Sequence, residues 1–268
     1  MTLILTILGC GSSGGVPRVG NDWGKCDPSN PKNCRRRCSV LLEQASAHGV
    51  TRVLIDTSPD LREQMLSAQV SHLDAVWYSH EHADHTHGID ELRAFFLIQR
   101  NRIPAYADAA TASMLRQRFA YCFEQPPGSG YPPILELCEL KAGANVETNG
   151  AGGKITGLPF RVHHGNIDAL GFRLGATAYV PDLNGIPDES VEALSGLDTL
   201  IIDSLRRTKH PSHFSLAETL SWIERLAPRR AVLTNLHIDL DYDTLHNELP
   251  ANVEPAYDGM KLIVETGA

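Results

Sequence analysis

Apolar positions along the chain fall into two periods. Runs of five or six residues, Leu3 to Leu8, Arg52 to Asp56, Ala75 to Ser79, Thr199 to Asp203 and Arg230 to Asn235, read as strands, and most of them end in a polar residue. Between two of these runs, Ser58-Pro59-Asp60 predicts a helix start, with a capping serine, a proline in the first turn and an acid near the helix N-terminus. Gly88 to Arg100 carries Leu92, Phe95 and Phe96 at helical spacing, and Thr111 to Glu124 forms a second amphipathic helix. Ser215-Leu216-Ala217-Glu218 is a capping box, and it opens a helix with Leu216, Leu220 and Ile223 on one face. The region from Leu135 to Pro181 is β-rich and broken by glycines. Gln125 to Pro133 is rich in proline and glycine but lies between patterned segments, so it reads as a loop inside a domain. With no repeat, low-complexity tract or linker, residues 1–268 are expected to form one domain, a layered α/β or α+β protein.

Composition narrows the classes. Of 268 residues, 42% are hydrophobic and 21% charged, which excludes wholesale disorder. No apolar run approaches the ~20 residues of a membrane helix, and the N-terminus has neither a basic segment nor a leader cleavage site. A cytoplasmic protein with no membrane partner is expected. Lysine and arginine total 24 against 32 acids, a net charge of −8, which argues against a surface for extended nucleic acid. The six cysteines are too few for a disulfide framework. The twelve histidines are unevenly placed, with four between residues 80 and 87.

Two motifs follow strands. Gly9-Cys10-Gly11-Ser12-Ser13-Gly14 matches the dinucleotide fingerprint formally. No helical period follows it, and no acid ends a second strand about 20 residues on, so a close backbone approach is the better reading. The other motif is His80-Glu81-His82-Ala83-Asp84-His85. Two histidines at i and i+2 of extended chain point the same way. Asp84 and His85 then turn toward a neighbouring point as a helix begins, offering ligands to two adjacent ions. Imidazole with carboxylate suits zinc, manganese or ferrous iron. Further candidates stand after later strands: His163 and His164, Asp182, and His237.

At this point the chain resembles the metallo-β-lactamase superfamily over nearly its whole length. The opening Gly-x-Gly-Ser-Ser-Gly-x-x-Pro and the closing Ala256-Tyr257-Asp258-Gly259-Met260 resemble the branch containing PhnP-type cyclic phosphodiesterases and ribonuclease Z. The resemblance implies a four-layer αββα sandwich with two divalent ions, zinc or manganese, at one edge of its sheets. It assigns His80, His82 and His164 to one ion and Asp84, His85 and His237 to the other, with Asp182 bridging. His164 is preferred to His163 because Gly165 follows it, and Asp56 would orient ligands by hydrogen bond. Two departures stand out. Relatives read Thr-His-x-x-His where this chain has Thr234-Asn235-Leu236-His237-Ile238, so the last ligand has moved to His237 or been lost. Some also carry a cysteine-bound structural zinc, whereas Cys26, Cys34 and Cys38 fit no standard knuckle and are expected as free or buried thiols.

Asp84 and His213 are the expected catalytic residues, the latter as general acid from His210-Pro211-Ser212-His213 before a helix. The expected substrate is a small cyclic or nucleotide-like phosphodiester, cleaved by a metal-activated hydroxide. The alternatives on this fold are ribonuclease Z-like tRNA processing and lactam or thioester hydrolysis. A non-hydrolytic iron protein is disfavoured because no flavodoxin pattern is present. Lys209, Arg206, Arg207 and Arg35-Arg36-Arg37 could hold phosphate, but charge runs are usually solvated faces, so they are left out of the expected site. The glycine-rich insertion from Gly143 to Gly157 holds one lysine and one acid, too little to grip tRNA. The reading leaves room for a homodimer.

Overall fold

Both faces of each strand run are apolar, so each sheet needs cover on two sides. The computed structural model describes residues 2–265. Its first strands are β1 (Leu3–Gly9), β2 (Ser39–Ser46), β3 (Gly49–Ile55), β4 (Ala75–Trp77), β5 (Ile103–Ala107) and β6 (Leu135–Glu139). There follow β7 (Val146–Gly150), β8 (Gly153–His164), β9 (Ile167–Leu174), β10 (Thr177–Val180), β11 (Thr199–Asp203), β12 (Arg230–Thr234), β13 (Val253–Pro255) and β14 (Lys261–Val264). They form two seven-stranded sheets, ordered β14-β1-β2-β3-β4-β5-β6 and β13-β12-β11-β10-β9-β8-β7.

Alternate residues of a strand serve different layers. Leu3, Leu5, Ile7, Val53, Ile55 and Trp77 face Phe172, Tyr179, Ile201 and Val232 between the sheets, where Trp77 and Phe172 stack at 5.8 Å. Leu8, Leu41, Leu54 and Val76 face outward under helices α1 (Leu61–Ser67), α3 (Leu92–Gln99) and α4 (Ala109–Phe123). On the second sheet Ala178, Val180, Leu200, Ile202 and Leu233 pack beneath α6 (Leu216–Leu226) and α7 (Tyr242–Glu248). The remaining short helices are α2 (Ala83–Thr86) and α5 (Asp188–Val191). The architecture is the expected αββα sandwich.

The sequence-based elements match with local shifts. The capping box of α6 is present, with Ser215 and Glu218 bonded reciprocally. The helix expected to begin at Ser58 starts at Leu61 with Asp60 as its cap. Ser58 Oγ instead accepts from the Asp60 N–H and donates to Gln64 Oε1. The Gly9 loop runs against residues 35–37 and not into a helix: a Cβ at Gly9 would lie 2.1 Å from the Arg37 carbonyl oxygen.

Strands β3, β4, β5 and β6 run parallel, as do β10, β11, β12 and β13. The carboxyl ends of β3, β4, β8, β10, β11 and β12 deliver Asp56, the histidine motif, His164, Asp182, Asp203 and Asn235. The histidine motif is pinned where it leaves the sheet. The Thr57 N–H donates to the His85 carbonyl at 2.8 Å and the Gly88 N–H to the Thr57 carbonyl at 2.9 Å. A Cβ at Gly88 would stand 1.9 Å from the Ser58 carbonyl oxygen, so only glycine permits this approach. We expect Gly88→Ala to lower stability by about 1–3 kcal/mol, the usual cost of overpacking. Gly130→Ala, whose Cβ would meet nothing within 4 Å, should leave the urea midpoint within the small range of surface substitutions. Equal midpoints for the two variants would contradict this account of Gly88.

Candidate metal centre

Asp56 organises the site. It follows β3 with φ of 66°, a left-handed turn that aspartate tolerates better than most residues. Its buried carboxylate accepts from the Ser79 N–H at 2.7 Å, from Ser79 Oγ at 2.7 Å and from His85 Nδ1 at 2.8 Å. Because the single Ser79 hydroxyl proton goes to Asp56, Ser79 Oγ must accept from His80 Nδ1, 2.9 Å away. His164 Nδ1 donates to the Ser212 carbonyl at 2.6 Å. The three rings therefore turn Nδ1 toward these acceptors and aim Nε2 inward, where an ion would take the place of any Nε2 proton.

Those nitrogens converge with two carboxylates. His80, His82, His164 and Asp182 form one group of donor atoms, and Asp84, His85 and Asp182 a second. His164 Nε2 is 3.0 Å from His82 Nδ1 and 3.5 Å from Asp182 Oδ2, and His80 Nε2 is 3.7 Å from that same oxygen. His85 Nε2 lies 3.4 Å from Asp182 Oδ1 and 3.6 Å from Asp84 Oδ2. Ligand atoms about 2.1 Å from a tetrahedral ion stand roughly 3.4 Å from one another, so the spacing suits ions. Asp182 gives one oxygen to each group. His80 Nε2 and His85 Nε2 are buried and make no hydrogen bond, a costly state unless something other than protein fills the space. The donor set fits two divalent cations.

Electrostatics agree with this fit. Burial, then the neighbouring His85, holds His80 well below the ordinary histidine range, and burial lowers His164 as well. Both are neutral and ready to ligate. Burial also disfavours a charged His85, but the carboxylates of Asp182, Asp84 and Asp56 outweigh it and raise that histidine well above its usual value. Burial would raise Asp182, yet His85, His213 and His80 hold it well below the usual carboxylate range. The negative charge of the second group demands a positive partner.

His213 lies against this cluster. Its ring is 4.6 Å from that of His164, and its Nδ1 is 3.9 Å from Asp182 Oδ2. Nδ1–H donates to the buried Asp203 at 2.9 Å, leaving Nε2 without a protein partner among the described residues. Burial opposes its charge, but the hydrogen bond to Asp203 and the charge of Asp182 lift His213 to about 9.

His237 is not with the other expected ligands. Its Nδ1 donates to Asp239 at 2.8 Å and its Nε2 accepts from Arg18, so both nitrogens are spent. The geometry corrects its assignment as a ligand: Asn235 occupies the place beside the second group, donating from Nδ2 to Asp182 Oδ1 at 3.2 Å with φ of 60°. His163 points to the opposite face of β8 and pairs with Asp168 at 3.2 Å. The arginine run is structural and not solvated. Arg35 is buried and donates to the Leu240 carbonyl, while Arg36 and Arg37 pair with Asp258 and Asp60. Cys26 sits against the Ile238 carbonyl, Cys38 against Thr234, and Cys34 is exposed. Ser79, Asp203 and Arg18 were missed by sequence reasoning. Asp203 had a signal, since it ends an apolar run just as Asp56 does; Arg18 had none.

Residues 51–238 match the family described as a Beta-lactamase superfamily domain. A crystal structure described as a new diphosphatase from the PhnP family is 36% identical, covering 99% of this chain and 98% of its own with a TM-score of 0.88. A Porphyromonas gingivalis protein named octanoyltransferase is 33% identical over 97% of this chain, and the chain spans about half (51%) of that protein's length. Zinc-bound PqqB from Methylobacterium extorquens shares the fold at 17% identity, with a TM-score of 0.72 over 97% of this chain and 99% of its own. With this match and its dinuclear ligand set, the chain belongs to the metallo-β-lactamase superfamily of hydrolases, close to the PhnP family.

Proposed function

We propose that this protein hydrolyses a small phosphodiester, including the doubly substituted phosphorus of a nucleotide-like diphosphate. The observation that carries the reading is His213, a proton-bearing imidazole held by Asp203 with its Nε2 free at the edge of the two ligand groups. Bound there, two divalent ions would generate hydroxide near neutral pH and neutralise charge on phosphoryl oxygens. His80, His82, His164 and Asp182, mostly imidazole, suit zinc; Asp84, His85 and Asp182, mostly carboxylate, suit zinc or manganese. His213 would give its Nε2 proton to the departing alkoxide, and Asp203 would fix the ring and stabilise its charge. Asp182 and Asp84 would help hold the second ion, and Asp182 Oδ2 stands 3.9 Å from His213 Nδ1.

A small substrate is favoured over tRNA. The Gly143 to Gly157 insertion is the β7–β8 hairpin, packed into the sheet, and its lone lysine, Lys154, pairs with Glu147 at 2.7 Å. Together with a net charge of −8, this leaves little to neutralise an extended phosphate backbone. No helix among the described residues is long and apolar enough to cross a membrane.

Two experiments test the reading. Chelation should abolish hydrolysis of bis(p-nitrophenyl) phosphate and 2′,3′-cyclic nucleotides, and zinc or manganese should restore it. Turnover of a lactam or thioester, with every phosphodiester inert, would contradict it. Replacing His213 by alanine should slow esters with poor alkoxide leaving groups by ~10²–10⁴, the range of a general acid. p-Nitrophenyl esters, whose leaving group scarcely needs a proton, should suffer much less. Equal losses on both would remove His213 from the acid role.

A further inference from the structure

Asn235 stands beside the second ligand group without a part in it. It is buried, follows β12 in a left-handed turn with φ of 60°, and is fixed on both sides. The Ser204 N–H donates to the Thr234 carbonyl at 3.0 Å, and the Leu236 N–H to the Cys10 carbonyl at 2.8 Å. The side-chain amide therefore has little freedom except rotation about its own Cβ–Cγ bond. Its Nδ2 lies 3.2 Å from Asp182 Oδ1 and 3.1 Å from His213 Nδ1. Oδ1 has no hydrogen-bond partner among the described residues.

That orientation satisfies only half of its surroundings. Toward Asp182 an N–H is right. Toward His213 it is wrong, because Nδ1 of that ring already carries the proton it gives to Asp203, so two donors face each other. Turning the amide by 180° exchanges nitrogen and oxygen without changing its shape. Oδ1 then stands 3.1 Å from His213 Nδ1, whose proton it can share with Asp203, and 3.2 Å from Asp182 Oδ1. Two oxygens at that distance with no proton between them repel, unless a cation holds both. The same spacing runs through the second group, where His85 Nε2 is 3.4 Å from Asp182 Oδ1 and 3.6 Å from Asp84 Oδ2. It is the spacing of neighbouring ligand atoms on one ion. An ion there would select the turned amide.

We propose that Asn235 Oδ1 is the fourth protein ligand of the second ion, and that it makes the centre a mixed one, with zinc in the histidine group and manganese in the oxygen group. The proposal rests on the two-ion centre of the proposed function, not on the substrate, and specifies which ion takes which place. His80, His82, His164 and Asp182 offer three imidazoles and one carboxylate. Asp84, His85, Asp182 and Asn235 offer three oxygens and one imidazole. Imidazole suits zinc, whereas carboxylate and carbonyl oxygen suit harder ions such as manganese. Zinc binds either set more tightly than manganese does, so the difference lies in the margin. It is wide at the histidine group and narrow at the oxygen group, where an excess of manganese displaces zinc.

The test loads the protein with one equivalent of zinc, titrates manganese and counts the bound ion by loss of the free Mn²⁺ resonance. It compares wild type, Asn235→Gly, Asn235→Asp and Asn235→His; glycine adopts the left-handed turn without strain. Wild type should take up one manganese per chain. Even an indirect metal contact is worth about tenfold to hundredfold in affinity. Asn235→Gly should therefore bind that manganese at least tenfold more weakly, and Asn235→Asp, which keeps an oxygen, should not. Asn235→His, which supplies a second imidazole, should raise the zinc-over-manganese preference of this site at least tenfold. A crystal structure of the doubly loaded wild type, with anomalous signal at both metal edges, should place Asn235 Oδ1 about 2.0–2.6 Å from the manganese, the range for oxygen on hard cations. Manganese bound equally by wild type and Asn235→Gly, or an amide that still donates to Asp182 beside the ion, would overturn the ligand. One ion per chain in every variant would overturn the two-ion centre itself, and the ligand with it.

Discussion

Everything in this molecule that bears on chemistry depends on the meeting of three imidazole Nε2 atoms, His82 Nδ1 and the carboxylates of Asp84 and Asp182. Lone pairs and negative charge removed from water are costly unless matched. Here His80 Nε2 and His85 Nε2 find no protein partner where the groups converge, and the Nδ1 protons of His80, His85 and His164 point to the far side of the rings. Asp56 does much of this steering, taking His85 directly and His80 through Ser79. A cation resolves at once the repulsion and the desolvation that the fold has set up.

The sandwich makes such a meeting possible because both halves of the sheet pair deliver strand ends to one edge. Parallel pairing of β3 with β4, and of β10 with β11 and β12, brings six chain turns together there. Rigid strands with both faces packed hold those turns, while the ligands themselves sit on short connections that can adopt unusual backbone. Asp56 and Asn235, both left-handed and both just past a strand, are the two turns where this freedom is used. The precision of the site therefore derives from the apolar layers and from close approaches such as Gly88 on Ser58.

Much of this was legible in the chain because it is local. Apolar runs with terminal acids marked the strands, the capping box marked α6, and the spacing of His80, His82, Asp84 and His85 named a two-ion site. What was not legible is long-range. His237 looked like a ligand displaced by two positions, yet Arg18, 219 residues away in sequence, captures its Nε2. Asn235 stands where the resemblance expects a histidine, and the turn geometry shows that it, and not His237, reaches Asp182. Arg35-Arg36-Arg37 looked like solvated charge, but their partners, Leu240, Asp258 and Asp60, are brought in by tertiary packing. Composition and spacing carry chemistry well where partners are neighbours, and poorly where a polar group is satisfied from across the fold.

The claim that Asp182 joins two ion sites is tested most directly by metal stoichiometry on folded protein. Zinc-saturated wild type, Asp84→Ala and Asp182→Ala, with native circular dichroism verified, would be gel-filtered and analysed for zinc per chain. The account predicts two ions in wild type and one in Asp84→Ala, which keeps the three-histidine group. Asp182→Ala should weaken both sites and retain less zinc than Asp84→Ala. One ion in wild type and Asp84→Ala alike, or two in Asp182→Ala, would contradict it.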